Sequence, residues 1–435
     1  MSNEVIGIIG LSLTIALMFL RIPLGVVFAV IGGLGTIFLT STKAALSIFE
    51  TTPYAWTTNY IFSCLPMFIL LGLIIAASDV AKDVYAAAFR WLGRLPGGLA
   101  MTTLIVTAIF SAISGAAIAA VTTIAFVCYP EMKRYGYDDG LSTGVIASGA
   151  SMDIMIPPSV PMIIYVMISD TSVAKLFLAG LGPGLAEVLV FCITIFIMVK
   201  LKPSLAPLAE VHFSFVEKLK SLKGILPFLI IFVLLFGGLY GGIFTPTEAG
   251  AAGVIAATAV CLAMRRLSWR GLMGCLNQTM RTTGAVFMVL IGVMLFNSFI
   301  TLSGFGTSLS KWIIESGISA TTFLLIVCAL YVPLGALMDE LSMMMLTVPL
   351  YLRTVEALGI DPVWFGILIM MSWQIGMIAP PVGLLVFVTK STLKQVPINT
   401  IYRGCIPFVI GLVIVEALVL FVPDIAMLPV RLLMK

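Results

Sequence analysis

The chain has 435 residues, of which 60% are hydrophobic and 10% charged, with a formal net charge of +4. A mean hydropathy of +1.16 excludes a soluble globular protein of this size and makes the bilayer its solvent. A single histidine and seven scattered cysteines, with no CxxC among them, leave no raw material for membrane zinc sites, Ser-His-Asp chemistry or a disulfide framework.

In chain order, apolar stretches suited to a hydrocarbon core about 30 Å thick fall at residues 5–20, 24–39, 61–77 and 102–129. Others follow at 177–199, 225–243, 249–264, 284–301, 321–338, 363–378 and 405–421. The first run is preceded by Glu4 and no basic residue, so it lacks the positive region of a cleaved signal peptide and is expected to persist as the first helix. The segment FSAISGAAIAAVTTIAF carries Ser111, Ser114 and Gly115. There small residues permit close helix approach and the hydroxyls suit packing and ligation equally.

Asp153 stands four residues before Pro157 and Pro158, inside an apolar run. A carboxylate there ligates a cation, carries a proton, or pairs with a base. The proline pair removes backbone donors and breaks the helix, and unwound backbone survives in a membrane only where protein or a water-filled cavity covers it. Lys200, Lys202, Lys218, Lys220 and Lys223 crowd the next polar loop beside His212, and Arg265, Arg266, Arg270 and Arg281 follow two helices later. The positive-inside rule assigns both clusters to the cytoplasmic side and leaves no case for nucleic-acid binding. YVPLGALMDELSMMM then brings Gly335, Asp339 and Glu340, and a second proline pair, Pro380 and Pro381, breaks another apolar run.

These features repeat. Gly136 pairs with Gly359, Asp138 with Asp361 and Pro157 with Pro380, each at a lag of 223 (359 − 136, 361 − 138, 380 − 157). Gly180 with Gly404 and Pro183 with Pro407 follow at 224. A lag near half the chain indicates a duplication, taken here as inverted, with substrate and ions bound where the halves meet. The expected fold is an all-α integral membrane protein of one domain, residues 1–435, with about 11–12 spans, two helical hairpins and two broken helices. The repeats occupy roughly residues 60–200 and 284–425, with scaffold-type helices at roughly 1–55 and 201–265.

In order and spacing, RIPLGVVFAVIGGLG, LPMFILLG, AISG, PEMKRYGYD, IPPSVPMIIY, KLFLAGLGPG, GGIFTPTEA, LGIDPVWFGI and APPVGLLVFV resemble the large membrane subunit of TRAP transporters, the tripartite ATP-independent periplasmic carriers. The resemblance implies an elevator-type secondary carrier in the bacterial inner membrane. Its partners would be a small four-helix membrane subunit and a periplasmic binding protein that delivers an organic acid. It implies no cofactor and no ATP, but two sodium sites: Ser111, Ser114, position 153 (here Asp153), Ile156 and Pro157; and Gly335, Gly376, position 379 (here Ala379) and Val382. Asp339, with Ser159 and Gly383 just past the breaks, is placed at the substrate. The family pattern has glycine at 153 and threonine at 379, so proton coupling stands beside sodium coupling. A carrier of the same superfamily that needs no binding protein, and a membrane-embedded transferase, are the alternatives.

Overall fold

A computed structural model describes residues 2–434 apart from 19, 21, 79, 115–116 and 208–212, with backbone alone for 80, 81, 112–114 and 228. His212 and Gly115 therefore lie outside the described residues, as does the Ser114 side chain. The first half runs α1 (Asn3–Met18), α2 (Leu24–Leu39), α3 (Thr42–Thr57), α4 (Cys64–Ala77), α5 (Val80–Leu92), α6 (Gly98–Ser114), α7 (Ala117–Arg134), α8 (Asp139–Ala150), α9 (Val160–Ser169) and α10 (Val173–Leu201). After α11 (Phe215–Ser221), the second half runs α12 (Leu226–Tyr240), α13 (Pro246–Ala263), α14 (Trp269–Ser303), α15 (Phe305–Glu315), α16 (Ala320–Leu337), α17 (Glu340–Ala357), α18 (Pro362–Ile378), α19 (Leu384–Thr392), α20 (Ile398–Phe421) and α21 (Asp424–Leu433).

Among the described residues six helices are long and apolar enough to cross a membrane unaided: 60–77, α10, α13, α14, α16 and α20. The shorter apolar helices, among them α1, α2, α9 and α18, are cut by the prolines and polar turns between them, so that some crossings are shared by two pieces. Side chains such as Phe38, Leu201 and Ile243 stand exposed, which only a lipid environment stabilises.

The same lag relates helix starts inside and also outside the repeats expected at roughly 60–200 and 284–425. α7 begins at 117 and α17 at 340 (340 − 117 = 223), α1 at 3 and α12 at 226 (226 − 3 = 223), and α14 spans the counterparts of α3 and α4 together. The two halves end their hairpins alike. Gly136 and Gly359 both have positive φ, and Tyr137 N–H donates to Met132 O (3.0 Å) as Ile360 N–H does to Val355 O (2.9 Å). Asp138 and Asp361 then cap the next helix, accepting from Gly140 N at 2.8 Å and from Val363 N at 2.8 Å. The left-handed glycine followed by an Asp cap is what a sharp helix-to-helix turn requires.

The packing is exchanged between halves. α2 lies along α14, and α13, the counterpart of α2, lies along α4. Tyr165, in α9, donates its hydroxyl to Pro362 O at the start of α18 (2.5 Å), while Gly140, in the first turn of α8, lies against Thr400 in the first turn of α20. The broken pair α18–α19 thus starts where α8–α9 ends and ends where α8–α9 starts, so the two repeats run in opposite directions. The basic loops share one face: Trp91 Nε1 donates to Lys218 O (3.3 Å), Asp138 N to Leu205 O (2.9 Å), and Arg266 pairs with Asp83.

Inversion places the equivalent exposed positions 133 and 356 (356 − 133 = 223) on opposite faces. Lys133→Cys and Glu356→Cys, in a chain with its native cysteines replaced, are expected to react with a membrane-impermeant thiol reagent from opposite sides. Labelling of both from one side contradicts the topology.

Candidate functional site

The two hairpins, α6–α7 and α16–α17, point their tips toward the two broken helices, α8–α9 and α18–α19. A cavity of about 350 Å³ lies at the meeting point. The first tip contributes Ala117, Ile118 and Ala119, and the second contributes Asp339, Glu340 and Leu341. The broken helices add Asp153 and Val160 on one side and Trp373, Met377 and Leu384 on the other, and α14 closes the space with Gln278, Thr282 and Val286. Each repeat thus gives a tip and a break to one chamber.

At the first tip, Asp153 sits in a single 3₁₀ turn, 151–154, between α8 and the proline pair. It is 3% exposed, and its Oδ2 accepts from Ala117 N at 2.9 Å, capping the second arm of the hairpin from across the break. Its Oδ1 is buried and has no hydrogen-bond partner. Ser111 Oγ donates to Ala150 O (2.6 Å), which ties the first arm to the end of α8. Ser159, at the N-cap position of α9, is buried with an unpartnered Oγ. Ile156 N–H donates to Met152 O (3.2 Å), and the Pro157–Pro158 bond is cis.

At the second tip the cap comes from the hairpin itself. Asp339 accepts from Ser342 N at 3.1 Å and from Ser342 Oγ at 2.7 Å, while Glu340, in the first turn of α17, is half-buried with no hydrogen bond or ion pair among the described residues. Gly335 and Gly376 bring α16 and α18 into backbone contact: a Cβ on Gly376 would fall 2.3 Å from Val332 O, so only glycine fits. Trp373 Nε1 donates to Met338 O (3.4 Å). Past the break, Ala379 is buried, Pro380–Pro381 is cis, and Gly383 opens α19 with φ +53. Pro381 O and Val382 O both accept from Tyr402 Oη, at 2.7 and 2.8 Å.

The two candidate cation sets therefore differ. The first offers a hydroxyl already donating to a main-chain carbonyl and, on Asp153, a buried carboxylate oxygen without a partner, oxygens of the hard kind that alkali cations take. The second offers main-chain carbonyls alone, with that of Val382 already accepting from Tyr402. Among the described residues no group of three His, Cys, Asp or Glu is arranged for a transition metal.

Behind the breaks lies a polar layer that no motif announced. Gln374 Nε2 donates to Ser151 Oγ (3.3 Å) and Glu187 Oε2 (3.0 Å), and Ser372 donates to Glu416. Ser151 and Gln374 are equivalent positions (374 − 151 = 223), so they meet on the axis that relates the repeats. The signal was present, since Glu187 and Glu416 are isolated charges in apolar runs. Gln278, Thr282 and Trp373 carried none.

Replacing Asp153 with Ala leaves the Ala117 N–H unpaired and is expected to destabilise the protein by about 1–3 kcal/mol. Asp153→Asn keeps an acceptor and should cost much less. Melting of the purified variants in detergent checks this, and equal losses would contradict the cap.

Residues 11–425 match the family described as tripartite ATP-independent periplasmic transporter, DctM component. Over 88% of each chain the protein is 31% identical to the C4-dicarboxylate TRAP transporter large permease protein of Pseudomonas aeruginosa. It is also 31% identical to the ectoine TRAP transporter large permease protein of Halomonas elongata, over 83% of this chain and 84% of that one. The fold is similar to that of the Neisseria gonorrhoeae MtrF efflux pump, with a TM-score of 0.60 at 11% identity, covering 97% of this chain and 96% of that one. The family is one of transporters rather than enzymes, and this multi-pass membrane chain belongs to it, as the DctM component of a tripartite ATP-independent periplasmic transporter.

Proposed function

We propose that the protein carries an organic acid into the cell by sodium-coupled symport, using an elevator movement of the hairpins and broken helices against α1–α2 and α12–α14. The observation that carries this reading is the single chamber built from both tips and both breaks, beside an orphaned buried carboxylate oxygen on Asp153. Relatives named for C4-dicarboxylate and for ectoine support an organic acid as cargo. The family's tripartite description supports a small membrane subunit and a periplasmic binding protein as partners, one copy of each, in the bacterial inner membrane. The basic face then lies in the cytoplasm.

A coupling sodium would be held by Ser111, Asp153 and main-chain oxygens near Ala150 and Ile156, and would supply charge that the membrane potential drives inward. Each charge crossing 100 mV contributes about 2.3 kcal/mol, so two net charges support accumulation of about three decades at 1.4 kcal/mol per decade. Ser111 and Asp153 join both arms of the first hairpin to the break, so filling the set fastens the tip to the transport body. The half-helix N-terminus at Leu384 faces the chamber and favours a substrate carboxylate, whereas that of α7 is capped by Asp153. Proton coupling through Asp153 is the second reading, favoured by its burial in a position where the family pattern has glycine.

Ligands that bind only the folded state raise stability by about 2.7 kcal/mol at a hundredfold excess over Kd. At equal ionic strength, NaCl is expected to raise the melting temperature above that in KCl, and Ser111→Ala is expected to remove most of the difference. Equal melting in both salts, with a shift on acidification alone, would replace sodium by protons.

A further inference from the structure

Three carboxylates face the chamber, on Asp153, Asp339 and Glu340, and none of the described residues lining it is basic. This is an unusual wall for a site that receives anions. The Asp339 carboxylate is engaged by the first turn of α17 through Ser342. One oxygen of Asp153 is engaged by Ala117 N, and its other oxygen is bare although the side chain is 97% buried. Glu340 has no hydrogen bond or ion pair among the described residues. Like charges gathered in a low-dielectric chamber repel one another and are relieved by a proton or by a counter-charge. A coupling cation at Asp153 balances one of them and leaves Glu340.

We infer that the transported solute carries a protonated or quaternary nitrogen together with its carboxylate, and that Glu340 meets the nitrogen. The inference rests on the organic-acid carrier reading above and narrows it from acids in general to zwitterions. The parts of the chamber are apportioned accordingly. Its acid-lined side, at the second tip, receives the cationic nitrogen, with the indole of Trp373 on the same wall as a cation–π partner. The N-terminus of α19 receives the carboxylate. A dianion in the same place meets the same helix end but also the unbalanced Glu340, and is rejected by repulsion, a selectivity built from a mismatched charge.

Thermal stability of the purified full-length chain in saturating NaCl tests this, with succinate as dianion and ectoine, glycine betaine and proline as zwitterions. At least one zwitterion is expected to raise the melting temperature while succinate does not. In Glu340→Gln that response should need about tenfold more ligand, the equivalent of about 1.4 kcal/mol. Glu340→Asp should recover part of it, and the sodium response should persist in both variants. A response to succinate alone overturns the inference and leaves the carrier reading standing, whereas silence toward every acid overturns both. A zwitterion response unchanged in Glu340→Gln also overturns it, since the nitrogen would then be recognised elsewhere.

Discussion

A helix that starts inside a bilayer exposes N–H groups that no lipid can satisfy, and this chain starts four helices there: the return arms of two hairpins and the second halves of two broken helices. Each return arm is given one carboxylate. Asp153 reaches Ala117 from across the break at 2.9 Å, and Asp339 serves its own arm through Ser342 at 3.1 Å. The positions exchange in the two repeats. Opposite Asp153 stands Gly376 (376 − 153 = 223), and opposite Asp339 stands Ala116 (339 − 223 = 116).

That exchange gives the two tips different characters. The first is fastened to its break by a charge-assisted hydrogen bond worth about 1.5–3 kcal/mol, the kind of contact that an ion or a proton can modulate. The second is fastened by backbone packing of Gly335 on Gly376 and by the Trp373 indole, which are indifferent to ions. Coupling is therefore expected to act mainly through the first hairpin. The buried layer of Gln374, Ser151, Glu187, Ser372 and Glu416 ties the 3₁₀ turn after α8 to α10, α18 and α20, so that the two breaks are held together.

Much of this was legible in the sequence because it is local. Proline pairs break helices wherever they occur, and Gly136 with Asp138, or Gly359 with Asp361, spell a turn and a cap within three residues. The constant lag revealed the duplication from Gly136 onward but not in the first helices, read as scaffold, where α1–α2 and α12–α13 match in position while sharing little sequence. What was not legible is long-range. Ala117 and Asp153 are 36 positions apart, and nothing in either segment names the other. The Val382 carbonyl reads as free until Tyr402, twenty residues on, donates to it. Glu340 reads as a neighbour of Asp339, yet only the fold shows that one carboxylate is a cap and the other faces a chamber without a base.

The most direct test of the account is accumulation of a radiolabelled acid by proteoliposomes holding this subunit and its small partner, supplied with the loaded binding protein. Uptake should appear with an inward sodium gradient and an interior-negative potential, and collapse when potassium replaces sodium outside. Accumulation that follows a proton gradient while ignoring sodium would contradict the assignment of the coupling ion. Uptake without any ion gradient would contradict secondary active transport itself.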